Sequence, residues 1–401
     1  MQNHTRRLIL FGTVLTVAWG FFFGVPCPAT ACPFCSMQGQ TLSMEVQQAA
    51  LVVFGTLANP RLNAAGDGLD AGTTDLIIEE VVKPHDFIKD KKTIVLPRYI
   101  PVEKNSKVKF LIFCDVFQGR LDPYRGIPVK TKDIVGYLRG ANTIRTQPAA
   151  QRLAFFFQYL DHEDVEISTD AYKEFANASY DDVGRMVAQG ERDKIADRVR
   201  KWLADPQTPP YRFGLYGLIL GMCGREKDAA ALLELLDDPQ RGLVSGIDGV
   251  LAGYVMLKPK EGWSYLRALL ADGQKEFVRR YAGLRTVRFL WENHPEIVDQ
   301  KTLLEGLKPL LDQPDIADLA IEDLRKWRQW QVADRIIDLA GRESHNVPII
   351  QRAIIRFALS CPPSIERAAA FVKEQRARDP DRVKDIEELL KLEAPVQKGG
   401  S

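Results

Sequence analysis

The chain has 401 residues, 45% of them hydrophobic, which is enough for two or more domains and a sizeable core. Its 54 Lys and Arg against 53 Asp and Glu exclude a general electrostatic pull toward nucleic acid or acidic membranes. Six cysteines in this length exclude a scaffold built from disulfides.

Residues 1–31 carry their own pattern. Arg6 and Arg7 precede an apolar run at 8–25, Pro26 breaks it, and Ala29-Thr30-Ala31 puts small residues at a cleavage position. This is the order of a secretory signal, and it implies an exported protein of the periplasm or cell envelope. Two alternatives keep the chain at a membrane. The run at 8–25 stays as an uncleaved anchor, or Cys32, behind a sequence that resembles a bacterial lipobox, carries a lipid.

Cys32-Pro33-Phe34-Cys35 follows directly. A thioredoxin-type pair needs a strand before it and a helix N-terminus after it. Ser36 stands where haem attachment needs His, and a zinc site needs a second ligand pair that is absent. The pair reads as a structural disulfide that fixes the N-terminal segment, with Cys114 as a longer-range partner. A thiol-disulfide oxidoreductase is the alternative.

Residues 32–142 form the first unit. TLSMEVQQAA (41–50) predicts a short helix. LVVFGTL (51–57) predicts a strand that Gly55 bends, and the Gly- and Pro-bearing stretch 59–72 predicts a loop. TTDLIIEEVV (73–82), KKTIVLPRYI (91–100, with Pro97 at an edge) and KVKFLIFCDV (107–116) predict three more strands. Asp122-Pro-Tyr-Arg-Gly126 reads as a turn and Lys130–Leu138 as a helix start or last strand. Short strands between such turns predict a small antiparallel barrel or sandwich. The cysteine-bearing start, the helix, LVVFGTL and the strand ending in KFLIF resemble the netrin-like or metalloproteinase-inhibitor module. That resemblance implies an OB-type barrel pinned by N-terminal disulfides, and a protein-binding or inhibitory role.

Residues 143–392 change period from 2 to 3.6. Leu153, Phe156, Phe157 and Leu160 make one apolar face. Ser168-Thr-Asp170 and Ser179-Tyr-Asp-Asp182 read as helix starts. One phrase then recurs as Leu203-Ala-Asp-Pro206, Leu236-Asp-Asp-Pro239, Leu270-Ala-Asp-Gly273 and Leu311-Asp-Gln-Pro314. A second recurs at 216–224, 248–257, 283–293, 321–330 and 353–361, with Gly217, Gly221, Gly249, Gly253 and Gly283 allowing close helix approach. Helix pairs repeating in the thirties resemble HEAT-like repeats, which implies an α-solenoid. Residues 379–392 read as a capping helix and 393–401 as a disordered tail. The fold class is therefore multidomain α+β, an OB-like barrel or sandwich followed by a HEAT-like α-solenoid.

No nucleophile–base pair, phosphate loop or metal-binding spacing occurs, so the sequence offers no catalytic residue, no metal ligand and no cofactor. Adjacent acids at 181–182 and 237–238 read as helix caps, and the scattered histidines as structural. Arg325-Lys326-Trp327-Arg328-Gln329-Trp330, with Arg285 and Arg288, is the candidate interaction surface. The function expected is a non-enzymatic scaffold or protein-interaction module of the cell envelope. Its partner is a protein, an acidic ligand or a polysaccharide, and an inhibitor or polysaccharide-binding role is a further alternative.

Overall fold

The computed structural model describes residues 32–63, 72–89, 91–103, 108–239, 241 and 245–393. The signal or anchor expected at 1–31, the tail after Glu393 and part of the 59–72 loop lie outside these residues. Among the described residues, no helix is long and apolar enough to cross a membrane.

An N-terminal β region precedes an extensive helical one. Helix α1 (Leu42–Gln48) leads into β1 (Leu51–Leu62), β2 (Gly72–Lys83), β3 (Thr93–Leu96), β4 (Lys109–Phe117) and β5 (Arg120–Val129). All pairs are antiparallel, in the order β3-β2-β1-β4-β5. Strands β3 and β5 are edges that do not meet, so the sheet is open. This overturns the barrel, and with it the architecture that the netrin-like resemblance implies. The strand β5 also replaces the turn read at Asp122–Gly126. The reversal lies instead at Gln118 and Gly119, both at positive φ (48° and 72°), where the left-handed turn geometry of a hairpin is met.

Alternation along β1 covers both faces of the sheet. Val52 and Phe54 join a core shared with the helices, whereas Leu51, Val53 and Leu57 join Ile94, Leu96 and Ile112 in a second core. The register slips at Gly55, where a Cβ would lie 2.0 Å from the Ile77 carbonyl oxygen, so only glycine lets β2 approach.

Helices follow as α2 (Asp133–Thr143), α3 (Ala149–Phe157), α4 (Val165–Asn177), α5 (Tyr180–Gln189), α6 (Arg192–Ala204), α7 (Phe213–Cys223), α8 (Ala229–Asp237) and α9 (Ile247–Leu257). Then come α10 (Pro259–Ala271), α11 (Phe277–Asn293), α12 (Gln300–Leu307), α13 (Ala317–Lys326), α14 (Ala333–Asp338), α15 (Pro348–Ser360), α16 (Glu366–Arg378) and α17 (Pro380–Glu393). Helix α4 starts at Asp164, whose carboxylate accepts from the Glu166 amide, rather than at Ser168. Ser179 caps α5.

The region is repeat-like. Helices α7, α9 and α11 pack side by side, as do α13 and α15, while α6 packs on α8, α10 on α12 and α14 on α16. The second phrase lies on the first set of helices. The first phrase ends α6, α8, α10 and the 3-10 turn after α12, with its third residue at the C-cap each time.

The leucine of each first phrase contributes a carbonyl that has no partner within its own helix, as the last turn of any helix must. A side chain from the next unit donates to it in all four cases. Arg241 reaches Leu203 at 2.5 Å, Arg279 reaches Leu236 at 3.2 Å, Gln313 reaches Leu270 at 2.8 Å and His345 Nε2 reaches Leu311 at 2.8 Å. The buried His345 and Gln313 are thus structural groups.

Two stability predictions follow from this packing. Replacing Gln313 with Leu orphans the Leu270 carbonyl and one Arg280 donor, and should lower stability by about 1–3 kcal/mol in a urea titration. A Cβ at Gly253 would lie 2.2 Å from the Gly217 carbonyl oxygen, so Gly253→Ala should cost about 1–3 kcal/mol as α7 and α9 separate. Gly184→Ala meets nothing within 4 Å, and in the same titration should leave stability unchanged or raise it.

Candidate functional site

The site is built where the N-terminal segment crosses the helices. Cys32 and Cys35 are joined by a disulfide, and the Cys35 amide donates to the Cys32 carbonyl, closing a single turn. Cys32 and Phe34 are buried, while Cys35 is half-buried. The Phe34 ring meets Phe289 of α11 with centroids 4.9 Å apart. Its carbonyl lies against the first turn of α7, where a Cβ on Gly214 would come within 2.5 Å of it. Gly214 is small because the loop needs that space.

Arg285 of α11 links this loop to a buried acid. Its Nη2 donates to the Pro33 carbonyl at 2.6 Å, its guanidinium carbon sits 5.9 Å from the Phe34 ring centroid, and its Nη1 pairs with Asp248 Oδ2 at 2.6 Å. Asp248 opens α9 and is buried. Burial pushes its carboxyl above the ordinary range, and Arg285 and the Gly249 amide pull against that. On the other side of Phe289, Tyr180 bonds His294 Nε2, and His294 Nδ1 meets Glu296 at 2.6 Å. The hydrogen bond from His294 holds Glu296 below the usual carboxylate range.

The segment beyond the disulfide is held by polar groups of α4. The Ser36 amide donates to the Tyr172 hydroxyl, which itself donates to the Tyr211 carbonyl. Asn177 exchanges two hydrogen bonds with the backbone of Gly39. Glu174 accepts from the Thr41 and Ser43 hydroxyls. Asp170 accepts from the Leu42 amide at 2.5 Å and from the Tyr137 hydroxyl at 2.8 Å. Burial raises the Asp170 carboxyl to about 7 despite these donors.

The other sulfurs are apart. Cys114 is a free thiol inside the sheet, so the longer-range pairing with Cys35 or Cys32 is not formed. Burial pushes Cys114 and Cys223 up to about 12 and Cys361 to about 11, which leaves them protonated and unreactive at neutral pH. Among the described residues, no group of three or more His, Cys, Asp or Glu could hold a metal ion.

The basic residues singled out in the sequence are dispersed. Arg285 serves the disulfide loop. Arg288 pairs with Asp323 at 2.7 Å, and Arg325 with Glu322 and Glu393, both at 2.8 Å. Lys326 and Arg328 are exposed. Trp327 stacks on Trp291 with centroids 4.3 Å apart, and Trp330 sets its edge against Phe357. Sequence reasoning missed the roles of Asp248 and Tyr172 and read Asp170 only as part of a helix start. Each sits inside a helix, and only its long-range partner marks it.

No family model matches this chain, and neither does any curated protein or solved structure compared with it. The HEAT-like and netrin-like resemblances are overturned as family assignments. The repeated phrases reflect how these helices end and stack. The units themselves are unequal, with helices as short as the 6 residues of α14 and as long as the 17 of α11.

Asp170 gives a pH prediction with a definite sign. Its folded pKa of about 7 lies above its ordinary 3.8, so the folded state holds a proton that the unfolded chain releases between these values. Stability from this group is full below the lower value and falls as pH rises toward the upper one, by at most about 1.4 kcal/mol per pH unit. Urea midpoints across this window should fall more steeply for the parent than for Asp170→Asn, which keeps an acceptor for Leu42 and Tyr137. Equal slopes would show that Asp170 is ionised throughout.

Proposed function

We propose that this chain is an exported thiol-disulfide oxidoreductase whose working pair is Cys32 and Cys35. The observation that carries the reading is that the disulfide joins residues only three apart and connects no two elements. The chain entropy of so short a loop accounts for about 2 kcal/mol. Phe34, Arg285, Tyr172 and Asp170 attach the segment without it. A bond that contributes little to anchoring is available for chemistry.

Unequal burial fits the two roles. In the reduced form the accessible Cys35 thiolate attacks a substrate disulfide. A mixed disulfide forms, and the first substrate sulfur leaves as a thiolate. Cys32 gives up its proton to solvent and attacks Cys35 Sγ, the ring disulfide closes, and the second substrate sulfur leaves as a thiolate. Two electrons pass to the substrate. The Arg285 guanidinium borders the loop at the Pro33 carbonyl and the first turn of α7 at the Phe34 carbonyl, and a positive group beside a cysteine pair favours the thiolate. Asp248 fixes Arg285 in that position.

A second reading, a non-enzymatic interaction module of the cell envelope, is favoured by the repeat-like helices and by the half-buried Trp291–Trp327 stack beside Lys326 and Arg328.

The two part on one measurement. In glutathione redox buffers, with alkylation and intact mass as the readout, the pair should interconvert at a potential above about −300 mV, the region below which structural disulfides lie. The reduced protein should cleave insulin disulfides, Cys35→Ser should abolish that turnover, and Cys361→Ser should preserve it. A pair that stays oxidised across this range, or turnover unchanged in Cys35→Ser, overturns the assignment.

A further inference from the structure

A cavity of about 350 Å³ opens where α1, α3 and the junction of α4 with α5 meet. Its volume lies within the range of small-molecule sites. Leu153, Phe156 and Met44 contribute apolar surface, and Arg145 and Arg152 line it together. Among the described residues, neither guanidinium has a hydrogen-bond or ion-pair partner. Arg145 is exposed, but Arg152 is half-buried, and its Nε is shut off from solvent with no acceptor. A buried donor left without an acceptor is rare in a folded protein and asks for a reason.

The carboxylates nearby do not supply it. Asp182 is taken by Ser179 and by Arg185, which points away from the lining. Glu174 accepts from Thr41 and Ser43. The lining therefore holds two uncommitted guanidinium charges, the charge of Glu174, and an Asp182 carboxylate whose charge is met by Arg185. That excess suits a monoanion, and Glu174 opposes a more highly charged one. The planar fork of a guanidinium matches a carboxylate through two parallel N–H bonds. The apolar surface leaves room for a short hydrocarbon tail beside it.

We propose that this cavity is a binding site for a small monocarboxylate with an apolar tail, held by Arg152 in the wall and Arg145 at the mouth. The site lies on the α1 side of the N-terminal segment and uses neither cysteine, so it stands independently of the redox reading.

Calorimetric titration of the full protein with hexanoate tests it, with hexanamide and inorganic phosphate as comparison ligands. Hexanoate should bind saturably, and both comparison ligands about tenfold more weakly or not at all. Arg152→Gln and, separately, the exposed Arg145→Gln should each weaken hexanoate about tenfold. Arg225→Gln, whose partner Asp193 is outside the cavity, should leave it unchanged, as should Cys35→Ser. If Arg152→Gln is poorly folded by circular dichroism, the Arg145→Gln result decides. The proposal fails if hexanoate does not bind, if hexanamide or phosphate binds equally well, or if the folded arginine variants bind like the parent.

Discussion

At four successive helix ends, from α6 to the turn after α12, the terminal leucine carbonyl is completed by a donor from the following unit. A carbonyl in the last turn has lost water on packing and has no amide ahead of it, so it needs a donor from elsewhere. The donors are two arginines, Arg241 and Arg279, a glutamine, Gln313, and a histidine, His345, yet each performs this same task for the preceding unit. The bond is directional, which hydrophobic burial is not. It therefore fixes how far one unit advances over the last, while leucines and glycines supply the attraction and the closeness. A one-residue slip in any unit would leave a buried carbonyl bare.

This explains which parts of the fold were readable in the sequence. The leucine phrases mark helix ends because the residue at each C-cap is extended and the next is a proline, or in one phrase a glycine, which disfavours continuing the helix, and both are local properties. The strands at 73–82 and 107–116 were legible from alternation and β-branching for the same reason. The donors were not legible, since they lie 34 to 43 residues beyond their acceptors and are of three residue types, two arginines, a glutamine and a histidine. Closure of the sheet was not legible either. It depends on whether β3 and β5 meet, and no residue in either strand encodes that by itself. Asp122–Gly126 was misread because Pro and Gly signal a turn, but an edge strand tolerates both where its amides face away from the ladder.

The charges obey the same long-range rule. Arg280 pairs with Asp315, Arg288 with Asp323 and Arg356 with Glu322, each about one unit apart in sequence. Read along the chain, Arg285, Arg288 and Arg325 make a basic cluster. Read across the stack, most of that charge is spent between neighbouring helices. Asp323 shows the balance involved: burial pushes its carboxyl up, and Arg288 is the main force pulling it back. An apparently basic stretch in a stacked helical region is thus weak support for an acidic partner unless the adjacent unit lacks the matching acids.

Arg285 departs from this rule in a way that bears on function. Its acid, Asp248, lies in an adjacent unit like the others, but one guanidinium nitrogen is left over and reaches the backbone between the two cysteines. The disulfide loop thus occupies a position in the same ladder of interactions that orders the helices. Opening the disulfide would leave Phe34 and the Pro33 carbonyl still held by α11. The bonds that position the segment are therefore different from the bond that joins its cysteines, and the proposed redox reading rests on that separation.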